Sequence, residues 1–142
     1  MKKQLSGWGK NTLINTNIFF PKNLAELKKN SKNKCIARGL GRSYGDSSIH
    51  QSKTIITTNL KKIIYFDKKK GTLEAESGIS IEEILNLIVK EGWFLPVTPG
   101  SKKVTLGGMI ASDVHGKNHH KVGSFSNYIL SFKLLNNKRK II

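Results

Sequence analysis

Residues 38–48 read RGLGRSYGDSS, with three glycines and two arginines inside the eight residues from Arg38 to Gly45. The only other arginine in the chain is Arg139. Glycine lets the backbone turn left-handed and approach a ligand closely, so that successive amides can cradle an anion. Arginine is the residue whose planar fork grips phosphate or carboxylate. Two common phosphate loops are excluded. A P-loop ends in Gly-Lys-Ser/Thr, a triplet the chain lacks. A dinucleotide fingerprint needs G-x-G-x-x-G opening a helix. Here Gly39, Gly41 and Gly45 are spaced one residue too long, and the following DSSIHQSKTIITT is polar and then strand-like. What remains is a loop between strands. It either wraps an anion with its amides and two arginines, or is a glycine-rich turn with an incidental arginine pair.

A second segment, residues 99–126, reads PGSKKVTLGGMIASDVHGKNHHKVGSFS, and the two segments together hold eight of the 13 glycines. Thr105 is placed to cap a short helix. Gly107 and Gly108 in its first turn would let a ligand press on the helix N-terminus, where the dipole favours an anion. Ala111 and Ser112 keep the same surface small. His115, Lys117, His119 and His120 then fall within six residues. Zinc is disfavoured there, because no cysteine joins the histidines and Asp113 is the only carboxylate nearby. A histidine and a lysine beside exposed backbone suit a polar, electron-rich ligand, which they can hydrogen-bond or stabilise as negative charge develops.

Outward from these segments, periodicity gives a mixed α+β pattern. A surface helix is expected over residues 23–32, capped by Asn23. Strands are expected over 34–37, 53–58, 62–67 and 72–76, the last two joined by a turn at 68–71. A helix over 80–90 has a Ser80–Glu83 capping box and puts Ile81, Ile84, Leu85 and Ile88 on one face, with Gly92 stopping it. Strands are also expected over 93–97 and 128–135. Asn136 and Asn137 then turn the chain into a further strand at 140–142.

Composition sets the outer limits. The chain has 142 residues, 37% of them hydrophobic and 8% aromatic, which suits a globular domain. The net charge of +16 invites a nucleic-acid reading. Yet 22 of the 25 basic residues are lysines spread along the chain, as on a solvated surface, so nucleic acid is the lesser reading. On charge alone, attraction to anionic membrane lipid stands level with it. No apolar run approaches the ~20 residues needed to span a bilayer, and the N-terminus lacks a signal-peptide core. The single Cys35 excludes an intrachain disulfide. The expected location is cytoplasmic, extending to peripheral contact with the inner membrane surface.

The motif RGLGRSYGD followed by PVTPGSKKVTLGGMIASDVHGKNHHKVGSF resembles the vanillyl-alcohol-oxidase-type flavoproteins, and among them most the decaprenylphosphoryl-β-D-ribose 2'-oxidase group. Gly7-Trp8-Gly9 and the hairpin plus capped helix between the motifs join the likeness, which covers nearly the whole chain. The resemblance implies an α+β FAD-binding domain of the PCMH type, two lobes with FAD extended between them. In it the pyrophosphate loop would be Ala37, Arg38, Gly39, Leu40, Gly41, Arg42, Ser43, Tyr44, Gly45 and Asp46. Gly100, Thr105, Leu106, Gly107 and Gly108 would line the cofactor. Ser112, Asp113, Val114, His115 and Gly116 would run towards the flavin ring, with His115 and Lys117 near the reacting centre. Covalent members carry a flavin-bonding histidine in the first loop. Arg42 at that place implies dissociable FAD.

The implied reaction is oxidation of a sugar hydroxyl, on a polyprenyl-phosphate-linked pentose or similar sugar, by hydride transfer to flavin. A partner reductase would complete the epimerisation. Family members are several times longer. The expectation is therefore a domain truncated within its second lobe, with the substrate domain absent and a downstream polypeptide as a partner. The alternatives are a non-catalytic FAD-binding fragment or split-enzyme subunit and, further off, a small basic nucleic-acid-binding protein.

Overall fold

The computed structural model describes residues 1–142, which form two compact units. One is built from Met1–Leu60 and Phe132–Ile142, the other from Lys61–Ser131.

The first unit holds a four-stranded sheet of order β1-β2-β4-β3, from β1 (Lys2–Ser6), β2 (Leu13–Phe19), β3 (Ile36–Arg38) and β4 (Lys53–Ile56). β1 pairs antiparallel with β2, whereas β2 and β3 both run parallel to β4 and flank it. As an interior strand, β4 buries Thr54, Ile55 and Ile56. Thr54 would be costly there without a partner. The Thr16 and Thr54 hydroxyls lie 3.0 Å apart, and Thr16 Oγ1 donates to His50 O at 2.6 Å. Helix α1 (Leu24–Asn30) provides the crossover from β2 to β3, and Asn23 Oδ1 caps it by accepting from Glu26 N at 2.9 Å. Lys53 Nζ donates to Asn30 O at 2.9 Å and Lys32 O at 2.7 Å, meeting the carbonyl end of α1 with a cation. The β3–β4 crossover is the glycine-rich loop.

The second unit contains the hairpin β5 (Ile63–Asp67) and β6 (Thr72–Ala75), then α2 (Ile81–Ile88), α3 (Leu106–Ala111) and a single turn, α4 (His119–Val122). Its core joins Ile79, Ile81, Ile84, Ile88, Val97, Met109 and Phe125. α2 supplies three of these from positions 81, 84 and 88, at helical spacing, while Leu85 is half-buried beside them. The Ser80–Glu83 capping box is complete, and Gly92 ends the following 3-10 turn at φ +79°. Residues 77–81 and 104–107 run side by side, tied by Ile81 N to Val104 O, Leu106 N to Ile79 O and Gly107 N to Ser77 O.

Three expectations differ from this architecture. β1 and β2 were not anticipated, because their Lys, Gln, Asn and Thr residues hide the alternation that buries only Thr16 and Ile18. Residues 93–97 form no strand. Val97 is fully buried, and Trp93 donates its indole N–H to Lys68 O at 2.8 Å, so side-chain anchoring replaces a ladder. Residues 129–134 are likewise outside any strand; pairing is confined to the 134–142 turn, with Leu134 N donating to Ile142 O and Ile142 N to Leu134 O. The β-branched and aromatic residues there meet the local preference but have no partner strand to satisfy it.

Candidate functional site

In the first unit β3 ends at Arg38, and the chain enters the glycine loop with Ala37 still paired to Ile55. The Arg38 side chain turns inward. Its Nη2 donates to Ser6 O at 2.7 Å and its Nη1 to Ser48 Oγ at 3.1 Å. Burial, and secondly the charge of Arg42, hold the Arg38 pKa below its ordinary value. A Cβ at Gly41 would overlap this guanidinium, and Gly41 sits at φ +69°, so only glycine fits. The far side of the loop is met by the β1–β2 turn. Trp8 N donates to Ser43 O at 2.8 Å, and Gly7 lies so close to Gly45 O that a side chain there would overlap it. Ile49 N to Asp46 O at 2.8 Å and Ser47 Oγ to Tyr44 O at 3.0 Å close its end. Leu40, Tyr44, Gly45 and Asp46 stay exposed, while Gly39, Arg42 and Ser43 are half-buried. The Arg42 guanidinium stands 4.4 Å from the centroid of the Trp8 ring, and its one hydrogen bond is Nη1 to Leu40 O at 3.3 Å.

The two arginines therefore divide. Arg38 spends its fork on the protein, whereas Arg42 keeps most donors free. Gly7-Trp8-Gly9 stood out in the sequence only as part of the family likeness; its contact with the glycine loop was not anticipated.

In the second unit Thr105 caps α3 as expected, its Oγ1 accepting from Gly108 N at 3.2 Å. The expected anion site at this helix N-terminus is not there. Leu106 N donates to Ile79 O at 2.9 Å and Gly107 N to Ser77 O at 2.8 Å, so with Gly108 all three leading amides are taken. Gly107 is needed for packing, since its Cβ would sit 2.8 Å from that of Ser77. Helix α3 exposes Gly108 and Ala111 and offers no cluster of free donors at its start.

Ser112 is exposed at the end of α3. Asp113 follows at φ +39°, accepting from Ser126 N at 2.9 Å and Ser124 Oγ at 2.8 Å. The Ser126 amide, then the Ser124 hydroxyl, hold its pKa below the usual carboxylate range. Asp113 thus staples the turn that follows. Val114 is half-buried, with its carbonyl accepting from Phe125 N, and Gly116 is buried against Thr98 O. His115 and Lys117 are both exposed. The His115 ring meets His119 edge to face at 5.1 Å, and His119 Nδ1 lies 3.1 Å from Gly116 O. Gly100 is exposed on the rim of a shallow groove of about 250 Å³ that Ile81, Leu85 and Phe94 also line.

Within the first unit the glycine loop fits a phosphate-bearing cofactor in one respect: a Cβ built at Gly45 meets no protein atom within 4 Å, so the exposed end of the loop offers bare backbone.

A profile described as "FAD binding domain" matches residues 21–142. The chain belongs to this FAD-binding domain family. Decaprenylphosphoryl-beta-D-ribose oxidase of Mycolicibacterium smegmatis is 41% identical over 101 residues, covering 70% of this chain and 22% of that protein. D-lactate dehydrogenase of Anaerostipes hadrus is 29% identical over 85 residues, 60% of this chain and 18% of that one. Among solved structures, alkyldihydroxyacetonephosphate synthase superposes with a TM-score of 0.73 at 22% identity, over 86% of this chain and 25% of that chain. The fold is thus the α+β FAD-binding fold of the PCMH type, and FAD is the cofactor of the family. The chain spans about a fifth to a quarter of the length of these relatives.

Proposed function

We propose that the chain is the cofactor-binding part of an FAD-dependent oxidoreductase that oxidises a sugar hydroxyl, on a polyprenyl-phosphate-linked pentose or a similar sugar. The observation that carries the reading is the glycine loop. Its backbone is fixed from both sides by Arg38, Gly7 and Trp8, while Leu40, Tyr44, Gly45 and Asp46 stay exposed and Arg42 makes only one hydrogen bond within the chain. Identity to the decaprenylphosphoryl-ribose oxidase supports the substrate class. Bound FAD would supply the hydride acceptor. The chain's own part is to hold the pyrophosphate with the Gly39–Gly45 amides and Arg42, non-covalently. Of the second segment, Gly100, Gly108 and Ser112 are the small exposed residues that would meet the cofactor, while Thr105, Gly107 and Gly116 support them from within. Near the reacting centre His115 would accept the hydroxyl proton as the carbon gives up its hydride, and Lys117 would stabilise the negative charge that develops on that oxygen.

No helix is long and apolar enough to cross a membrane. Fifteen of the 25 basic residues but two of the nine acidic ones lie in the first unit. That imbalance supports peripheral contact with an anionic lipid surface, where a lipid-linked sugar would reside. Vesicles of phosphatidylcholine with phosphatidylglycerol should sediment the protein at low salt and release it at high salt. Equal behaviour with pure phosphatidylcholine would remove the membrane contact.

The flavin reading is tested by expressing the chain alone and with the polypeptide encoded immediately downstream, then measuring bound FAD. A yellow protein that releases FAD on denaturation is expected. A preparation that takes up no FAD in either form ends the reading. Arg42→Ala should weaken FAD about tenfold or more, the scale of a lost charged hydrogen bond.

A further inference from the structure

We propose that Trp8 is a positioning residue for Arg42, its indole face holding the guanidinium ready for a phosphate-bearing ligand; the inference rests on the flavin reading above. Arg42 Cζ lies 4.4 Å from the ring centroid, within the range of a cation–π contact. Trp8 itself is fixed to the loop it serves. Its amide donates to Ser43 O at 2.8 Å, and Lys10 N to Gly7 O at 3.1 Å closes the turn around it. Trp8 is 49% exposed, so it is not buried as a core anchor.

The chemistry of the pairing points the same way. A carboxylate partner would orient Arg42 but would neutralise its charge and occupy its N–H donors. No acidic side chain forms an ion pair with Arg42. An aromatic face restrains the fork and leaves both charge and donors for an anion. Arg38, by contrast, has both terminal nitrogens turned to the protein, Nη2 on Ser6 O and Nη1 on Ser48 Oγ. Trp8 and Arg42, 34 residues apart in sequence, thus form one device built on a turn and a loop.

The test compares FAD affinity in Trp8→Phe, Trp8→Leu, Arg42→Gln and the Trp8→Leu/Arg42→Gln double variant, in the form of the protein that binds flavin. Thermal unfolding is followed alongside. Trp8→Leu should weaken FAD about five- to tenfold, whereas Trp8→Phe should stay within about threefold of the unaltered protein. In the Arg42→Gln background, Trp8→Leu should add almost nothing. Unchanged affinity in Trp8→Leu, or the same loss with and without Arg42, overturns the inference. Inorganic pyrophosphate, titrated by its effect on the Arg42 side-chain NMR signals, separates the two readings. If FAD does not bind but pyrophosphate does, with the same Trp8 dependence, the flavin reading fails and the positioning role stands. Binding of neither overturns both.

Discussion

The Arg38 guanidinium reaches Ser6 O at 2.7 Å and Ser48 Oγ at 3.1 Å, beneath a Gly41 that cannot carry a side chain. Four residues on, Arg42 rests on Trp8 with its charge unpaired. Local spacing made the two arginines look equivalent, and only the fold separates them. Arg38→Ala should therefore lower urea-unfolding stability by about 1–2 kcal/mol without any ligand, the loss of charge-assisted bonds discounted for partial exposure. Arg42→Ala should stay within about 0.5 kcal/mol of the parent in the same assay, as a surface change does. Equal destabilisation by both would refute this division of labour. The motif itself was legible because glycine and arginine are specific residue types. Which of them face outward was not, since that depends on Ser6 and Trp8, more than 30 positions away in the chain.

At the scale of elements, α2 and α3 show how far local signals reach. The Ser80–Glu83 box and the Thr105 cap could be read directly because their contacts span three residues. Lys61, then Ser80, hold the Glu83 carboxyl at about 2 against an ordinary 4.5. A carboxylate depressed in the folded state adds stability that is full above the ordinary value and is lost as pH falls through the folded one. The thermal midpoint should thus decline between pH 4.5 and about 2, with a shallower decline in Glu83→Gln. An unchanged slope would show that other carboxylates carry the acid limb. The anion site expected at α3 failed for a non-local reason. Ser77 and Ile79, about 30 residues earlier, accept from the amides that a ligand would have needed.

Over the whole molecule, each unit has its own core, yet residues 130–134 remain uncovered. Leu130 is 83% exposed and Phe132 60% exposed, without strand pairing. Such side chains should bind a hydrophobic dye in native buffer. Phe132→Ser should reduce that signal and leave the unfolding midpoint unchanged; a lowered midpoint would mean that the residue is packed in solution. The sequence by itself determined the α+β class, the three helix caps, the β5–β6 hairpin and the two glycine segments. Each depends on residue type and on contacts a few positions apart. Tertiary structure alone decided the β1-β2-β4-β3 order, the inward turn of Arg38, the seat of Arg42 on Trp8 and the occupied amides of α3. Those are pairings between distant segments, whose partners are selected by burial and hydrogen bonding once the chain has closed on itself, and no local pattern encodes them.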